Sequence, residues 1–577
     1  MASVHDLGRG SAPGLLAAAI LLGAFAPAAA DDPADLVLRN GKIYTVDPAR
    51  SVQQAVAVRG DTIVAVGSDA DVAPLIGPAT AVVDLGGKFV MPGMIDGHSH
   101  PVIGAASTAK CSLADVEPTI EAITPVVRKC LADRPGGPDA WLEVVQLYNY
   151  GFEATAKDLD AIEATRPIAI GGNDGHTVWL NSRGLALAGI TAETPDPAGG
   201  KITRDEAGDP TGAFADTAAA LALRGVPPLS VEETADLTEA ALAGMAAAGL
   251  TSLTDAYVTA AEQAVWERLY REGRLKLRVR GAILVDDLAD DSDAAIAALA
   301  ATAEARTIDP EFLRGDSAKI FADGVIEAPT QTAALIEPYL DDKGAPTDNR
   351  GELYFEPAKM DAIVTKLDKA GLTVHVHAIG DRAVRASLDA FEAARKANGA
   401  GDNRHQIAHL QLVDPADFPR FAELGVIANM QLDWAKRDAS NEAPIEPYIG
   451  AERYRYLYPA GSLKKAGAVI AGGSDWDISP FDPFRSMEHG VTRTERGSGR
   501  PPLAIEEALT VPDVIDAYTI NAAVAGRQEA FTGSLEVGKR ADIVVLDRDI
   551  LTIDPATIDD TEVLATYVDG ALIYEKK

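Results

Sequence analysis

The chain predicts an α/β fold: a (β/α)8 TIM barrel with an inserted subdomain and a small β-sandwich domain formed from both chain termini. Three observations lead there. Eight short apolar runs alternate with helical patterns through the middle of the chain, and β-rich segments broken by turns flank them at both ends. The length of 577 residues also exceeds what one core usually supports, which favours a large domain plus a smaller one.

Taken in order, residues 1–30 read as a signal peptide. Leu15 to Ala26 is apolar but too short to span a bilayer, and Ala28-Ala-Ala30 offers small residues for cleavage after Ala30. The mature protein is therefore expected in the periplasm or secreted. Asp35 to Tyr44, Ala55 to Val66 and Ala79 to Leu85 are β-rich runs, answered near the other end by Ala541 to Leu546 and Thr566 to Tyr574. Chain ends commonly meet, so residues 31–88 and 530–577 are assigned to one small β domain.

Residues 89–529 are assigned to the barrel. Its strand candidates are Phe89 to Ile95, Leu250 to Thr254, Leu275 to Leu284, Ser317 to Phe321, Leu372 to His377, His405 to Leu410, Val426 to Met430 and Ala468 to Gly472. Helical patterns intervene, among them Val231 to Ala248, Asp293 to Ala305, Pro357 to Ala370 and Arg382 to Asn398. The first two strands lie too far apart for one crossover, so about 103–249 is expected to hold an insertion that helps enclose the substrate. Cys111 and Cys130, the only cysteines, are either a disulfide suited to an oxidising compartment or two buried thiols.

Composition narrows the partners. With 52 basic and 86 acidic residues the net charge is -34, and no Lys/Arg cluster offsets it. Nucleic acid is excluded as a partner, and so is a membrane once the signal is removed. A small-molecule substrate remains, and a homodimer is left open.

The chemistry sits where the strands end, as barrel active sites do. Val90-Met-Pro-Gly-Met-Ile-Asp-Gly-His-Ser-His-Pro101 closes on two histidines two residues apart, and side chains at i and i+2 of an extended segment point the same way. His98 and His100 can thus bind one metal ion. Lys319 lies on the fourth strand, His375 and His377 on the fifth, His405 and His409 on the sixth, and Asp475 follows Gly473-Ser474 at the tip of the eighth. A lone barrel histidine is usually a hydrogen-bonded core residue; ligand-type residues at four strand ends reverse that expectation. Lys319 could instead pair with Asp323, and Asp475 could merely cap a turn. His375, one pleat deeper, reads as core or as support for a ligand, and His405 as structural. Gly533 to Lys539 mimics a phosphate-binding loop, but Arg540 replaces the required Ser/Thr and no helix follows.

Met91-Pro-Gly-Met-Ile-Asp-Gly-His-Ser-His100, Asp174-Gly-His-Thr-Val-Trp-Leu-Asn-Ser182, Lys319-Ile-Phe-Ala-Asp-Gly324, His377-Ala-Ile-Gly-Asp381, Gly473-Ser-Asp-Trp476 and Gly533-Ser-Leu-Glu-Val-Gly-Lys-Arg-Ala-Asp542 together resemble the amidohydrolase superfamily. Within it they are similar to the amidohydrolase-3 branch, which includes YtcJ-like proteins and N-substituted formamide deformylases. The resemblance implies that His98 and His100 bind a first divalent ion, together with Asp475, and that His377 and His409 bind a second. Lys319, as a carbamate formed with carbon dioxide, would bridge them. The metals implied are two Zn, with Mn, Co or Fe equally suited to these ligands. Asp475 would be the general base and acid, and His176 a catalytic, substrate-side hydrogen-bond donor; Trp179 joins it as a substrate-binding residue, and Asp96 orients the first-strand turn. One departure is Ala408, where relatives usually carry Glu; it removes a supporting hydrogen bond but no ligand.

The activity implied is metal-dependent hydrolysis of a C–N bond other than a peptide bond, in a linear amide such as an N-formyl or N-acyl amine or amino acid. An esterase or lactonase on the same site is the alternative. A catalytically silent regulatory or binding homologue is disfavoured, because all six ligands are present.

Overall fold

The computed structural model describes residues 32–197, 199–285 and 292–577; the expected signal peptide lies outside them. Eight parallel strands form the central sheet: β1 Met94–Ser99, β2 Leu250–Val258, β3 Arg278–Leu284, β4 Leu313–Phe321, β5 Thr373–Ala378, β6 Gln406–His409, β7 Ile427–Met430 and β8 Ile470–Gly472. Each pairs with its neighbours in sequence order from β1 to β8. The strands are largely buried on both faces, as a parallel sheet covered by helices requires.

No ladder joins β8 to β1 among the described residues. Their seam is closed by the segments that follow: Asp475 N–H donates to the His98 carbonyl at 2.7 Å and His100 N–H to the Trp476 carbonyl at 2.6 Å. Glycine is needed there, since a Cβ on Gly473 would lie 2.7 Å from the His98 nitrogen.

The expected helices form as Val231–Ala247, Asp293–Arg306, Pro357–Lys369 and Asp381–Asn398. Ser230 starts the first of these in a reciprocal cap with Glu233. Its apolar face, including Ala235, Leu242 and Met245, joins the main core around the barrel.

One strand assignment is corrected. The apolar run from Phe89 does not enter the barrel whole: Phe89–Pro92 pairs with Lys42–Tyr44 and antiparallel with Ile543–Leu546, outside the barrel. The chain changes sheets at Gly93, where a Cβ would lie 2.3 Å from the Thr251 side chain, and β1 begins at Met94. The terminal segments make two sheets, one of Leu36–Arg39, Ala55–Arg59, Thr62–Gly67 and Ala81–Asp84, the other built on Phe89–Pro92 and the three C-terminal strands. Leu38, Ile43, Val56, Ile63, Val90, Ile543 and Val545 share one core. A buried ion pair from Arg278 of β3 to Asp542, 2.9 Å, ties the barrel to these strands.

Between β1 and β2 the chain builds a six-stranded sheet with Thr177–Leu180 near its centre. Cys111, on the edge strand of this sheet, is disulfide-bonded to Cys130 in the helix Ile120–Asp133, which decides between the two readings of the pair. Among the described residues, no helix is long and apolar enough to cross a membrane.

Candidate active site

The strand register brings the ligand-type residues together. Lys319 on β4 stands beside His375 on β5, Phe321 beside His377, and Ala378 beside His409 on β6. The β8 turn then lays Asp475 across the mouth: its Oδ1 lies 3.0 Å from His100 Nε2 and 3.2 Å from His98 Nε2. His98, His409 and Asp475 each offer a donor atom, all within 4.8 Å of one another. The expected first and second ligand pairs thus lie side by side, with the His409 ring 4.8 Å from that of His98 and 4.5 Å from that of His377.

Hydrogen bonds aim these rings. A carbonyl oxygen can only accept, so His377 Nε2, 3.1 Å from the Gly324 carbonyl, carries the hydrogen and its Nδ1 keeps a lone pair. His409 Nδ1 lies 2.9 Å from Gln431 Oε1, which frees its Nε2. Gln431 thereby supplies a support that Ala408 cannot. Asp96 accepts from the backbone N–H of His98 and of Ser474, at 3.1 and 3.0 Å, and from the Ser474 hydroxyl, tying the β1 and β8 turns to each other.

Lys319 is fully buried, with Nζ 4.7 Å from the centre of the Phe321 ring and no hydrogen-bond partner. Its sequence-level alternative, pairing with Asp323, does not form. Asp323 instead accepts from the backbone N–H groups of Ala334, Ile379 and Gly380. Burial pushes the Lys319 amine down to about 7, against the opposing pull of Asp475. Burial also raises Asp475, but the His100 and His409 rings and Lys319 outweigh it and hold the carboxyl down at about 2. His98, His377 and His409 are held well below the ordinary imidazole value, above all by burial.

His98 Nε2, His100 Nδ1, Lys319 Nζ and Asp475 Oδ1 are buried without hydrogen bonds. Leaving such groups unpaired costs roughly 1–3 kcal/mol each, so four in one place mark a site shaped for something else. Imidazole nitrogen and carboxylate oxygen are donors that suit a divalent ion, and the residues fit one.

The insertion reaches this mouth. Asp174 Oδ1 accepts from the backbone N–H of His176 and of Thr177 in the turn before Thr177–Leu180, and the His176 ring stands 5.7 Å from that of His377. His176 Nδ1 lies 2.7 Å from Asp216 Oδ1. Burial lowers the pKa of His176, but the Asp216 carboxylate more than offsets this and leaves it raised.

Trp179 does not join the site. It packs edge-on to Phe152, centroids 5.2 Å apart, inside the insertion's own core, so the expectation of a substrate contact is corrected to a packing role. His405 bridges Asp368 and the Val374 N–H and stacks on Phe391, a structural role as expected. Sequence reasoning missed Asp216, forty residues beyond His176, and Gln431, neither of which lies in a motif. It also missed Trp434, which stacks on His409 at 5.6 Å; its place just past the end of β7 was the available signal.

The family model described as the amidohydrolase family matches residues 81–574. The chain is 29% identical to the N-substituted formamide deformylase of Arthrobacter pascens, over 94% of this chain and 98% of that protein. To the Bacillus subtilis protein YtcJ it is 28% identical, over 94% and 99%. A crystal structure of an uncharacterized metal-dependent hydrolase from Pyrococcus furiosus superposes with a TM-score of 0.68 at 25% identity, covering 90% of this chain and all of that one.

Proposed function

The chain belongs to the amidohydrolase family, a family of metal-dependent hydrolases, and we propose that it hydrolyses the C–N bond of a linear amide, an N-formyl or N-acyl amine or amino acid. The observation that carries this reading is the buried convergence of His98, His409 and Asp475 beneath His176. The formamide deformylase among its relatives favours an amide over an ester. A binuclear site would also attack esters and lactones, which makes these the second reading.

Divalent metal, two Zn or their Mn, Co or Fe equivalents, held by His98, His100, His377, His409, Asp475 and carboxylated Lys319, would supply water activation near neutral pH and polarise the scissile carbonyl. The lysine's part follows from its burial. A neutral amine adds carbon dioxide and releases a proton, becoming an anionic two-oxygen ligand, whereas an ammonium would repel two cations. Asp475 is ionised at neutral pH, so it accepts the proton of the attacking water and delivers it to the leaving nitrogen. His176, oriented by Asp216, donates from Nε2 to the substrate carbonyl oxygen as negative charge develops there. Residues 1–30 would direct export to the periplasm or beyond, where the Cys111–Cys130 bond is stable.

The test is a hydrolysis screen of N-formyl, N-acetyl and longer N-acyl amines alongside esters, with metal measured on the same sample. The expected result is amide turnover with about two divalent ions per chain, as two-metal sites require. Protein purified without chelator that holds no divalent metal refutes the mechanism; esters turned over and amides not refutes the substrate.

A further inference from the structure

We infer that His375 is a positioning residue for the metal site, accepting a hydrogen bond from His98 so that His98 Nε2 presents its lone pair toward Asp475 and His409. The inference rests on the metal-dependent reading above and adds a residue that chemistry does not use. Its basis is one contact and one orphan. His375 Nε2 lies 2.7 Å from His98 Nδ1, ring centroids 4.7 Å apart, and both side chains are completely buried.

Two ring nitrogens 2.7 Å apart share a single hydrogen, so one ring donates and the other accepts. Were His375 the donor, His98 would carry its own hydrogen on Nε2, the atom 3.2 Å from Asp475 that has no hydrogen-bond partner, and could not ligate an ion from there. The donor is therefore His98 Nδ1, and His375 carries its hydrogen on Nδ1. That nitrogen is buried and has no hydrogen-bond partner among the described residues. An unpaired buried N–H is unfavourable, and an aliphatic side chain would fill this pleat without it. What histidine provides in return is an acceptor for a ligand's second nitrogen, the support that metal-bound histidines need to fix tautomer and ring angle. Because the acceptor is neutral, it does so without adding a negative charge beside Asp475. The β-ladder holds it in place, with His375 opposite Lys319 on one side and Gln406 on the other.

The experiment is Zn(II) competition against a chromophoric chelator, with thermal melting of the metal-stripped protein, for wild type, His375→Leu and His375→Gln. Leu removes the acceptor, and Gln places Oε1 near the position of Nε2. The expected result is a loss of about 10–100-fold in Zn(II) affinity for Leu, recovery to within a few-fold for Gln, and a melting temperature of the stripped Leu variant no lower than wild type. Unchanged affinity in the Leu variant overturns the inference. So does a fall in both affinity and stripped-protein stability that Gln fails to restore, because that is the behaviour of a core residue. Wild-type protein that binds Zn(II) yet hydrolyses no amide defeats the proposed function and leaves this inference standing; wild type that binds none defeats both.

Discussion

Replacing Asp216 with Asn tests the role of His176 most directly. The change keeps shape and one hydrogen bond but removes the charge 2.7 Å from Nδ1. A hydrogen bond to a charged partner contributes about 1.5–3 kcal/mol, and Asp216 is what holds the His176 pKa up against burial, so that pKa should fall. Burial already pulls it down, and nothing of comparable strength replaces the carboxylate. Above the new pKa the Nε2 hydrogen is lost, and kcat/KM near neutral pH should drop by about 10–100-fold, no more than the roughly 100–1,000-fold that outright loss of an oxyanion donor costs. The assay is kcat/KM against pH on the best amide from the screen: the alkaline limb should move to lower pH, and His176→Gln should lose the limb. Stability follows the same sign. A raised histidine pKa stabilises the fold fully below the unfolded value of about 6.5 and loses that contribution as pH rises through the folded value. The melting difference between wild type and Asp216→Asn should therefore be largest in acid and shrink in alkali. A variant whose pH–rate profile overlays that of wild type would refute the assignment of His176 as donor.

Two other outcomes are expected. Lys319→Ala should abolish turnover, and short carboxylic acids should restore part of it by standing in for the lost carbamate; activity at the wild-type level after the substitution would rule out a bridging lysine. Converting Cys111 and Cys130 to Ala opens a loop of sequence separation 19, which should cost about 3 kcal/mol in denaturant unfolding while leaving metal content unchanged. No loss of stability would show that the bond does not constrain the insertion.

The barrel was legible because its strands are buried on both faces and so read as continuous apolar runs set off by turns, and because their ends carry histidine, lysine and aspartate where apolar side chains would otherwise stand. The same continuity hid the boundary at Gly93: Phe89–Pro92 and Met94–Ser99 are equally apolar, and a change of sheet leaves no mark in hydropathy. Trp179 was misplaced for a related reason, since both faces of Thr177–Leu180 are covered and an aromatic residue there carries no sign of which side it packs. Asp216 and Gln431 were invisible because each acts on a histidine far along the chain, and a single carboxylate or amide reveals its partner only after folding.

The strand Phe89–Pro92 is braced by Ile543–Leu546, a segment more than 450 residues away and close to the end of the chain. Contacts that distant form only after the intervening polypeptide exists, since loop-closure entropy must be met before they are rewarded. The root of β1, and with it the turn carrying His98 and His100, is consequently braced by a segment synthesised more than 450 residues later. A nascent chain that has not reached Leu546 holds every candidate ligand in sequence yet lacks the strand that braces Phe89–Pro92. The placement of the His98–His100 turn is in this sense a long-range property, set only when Ile543–Leu546 folds back against Phe89–Pro92.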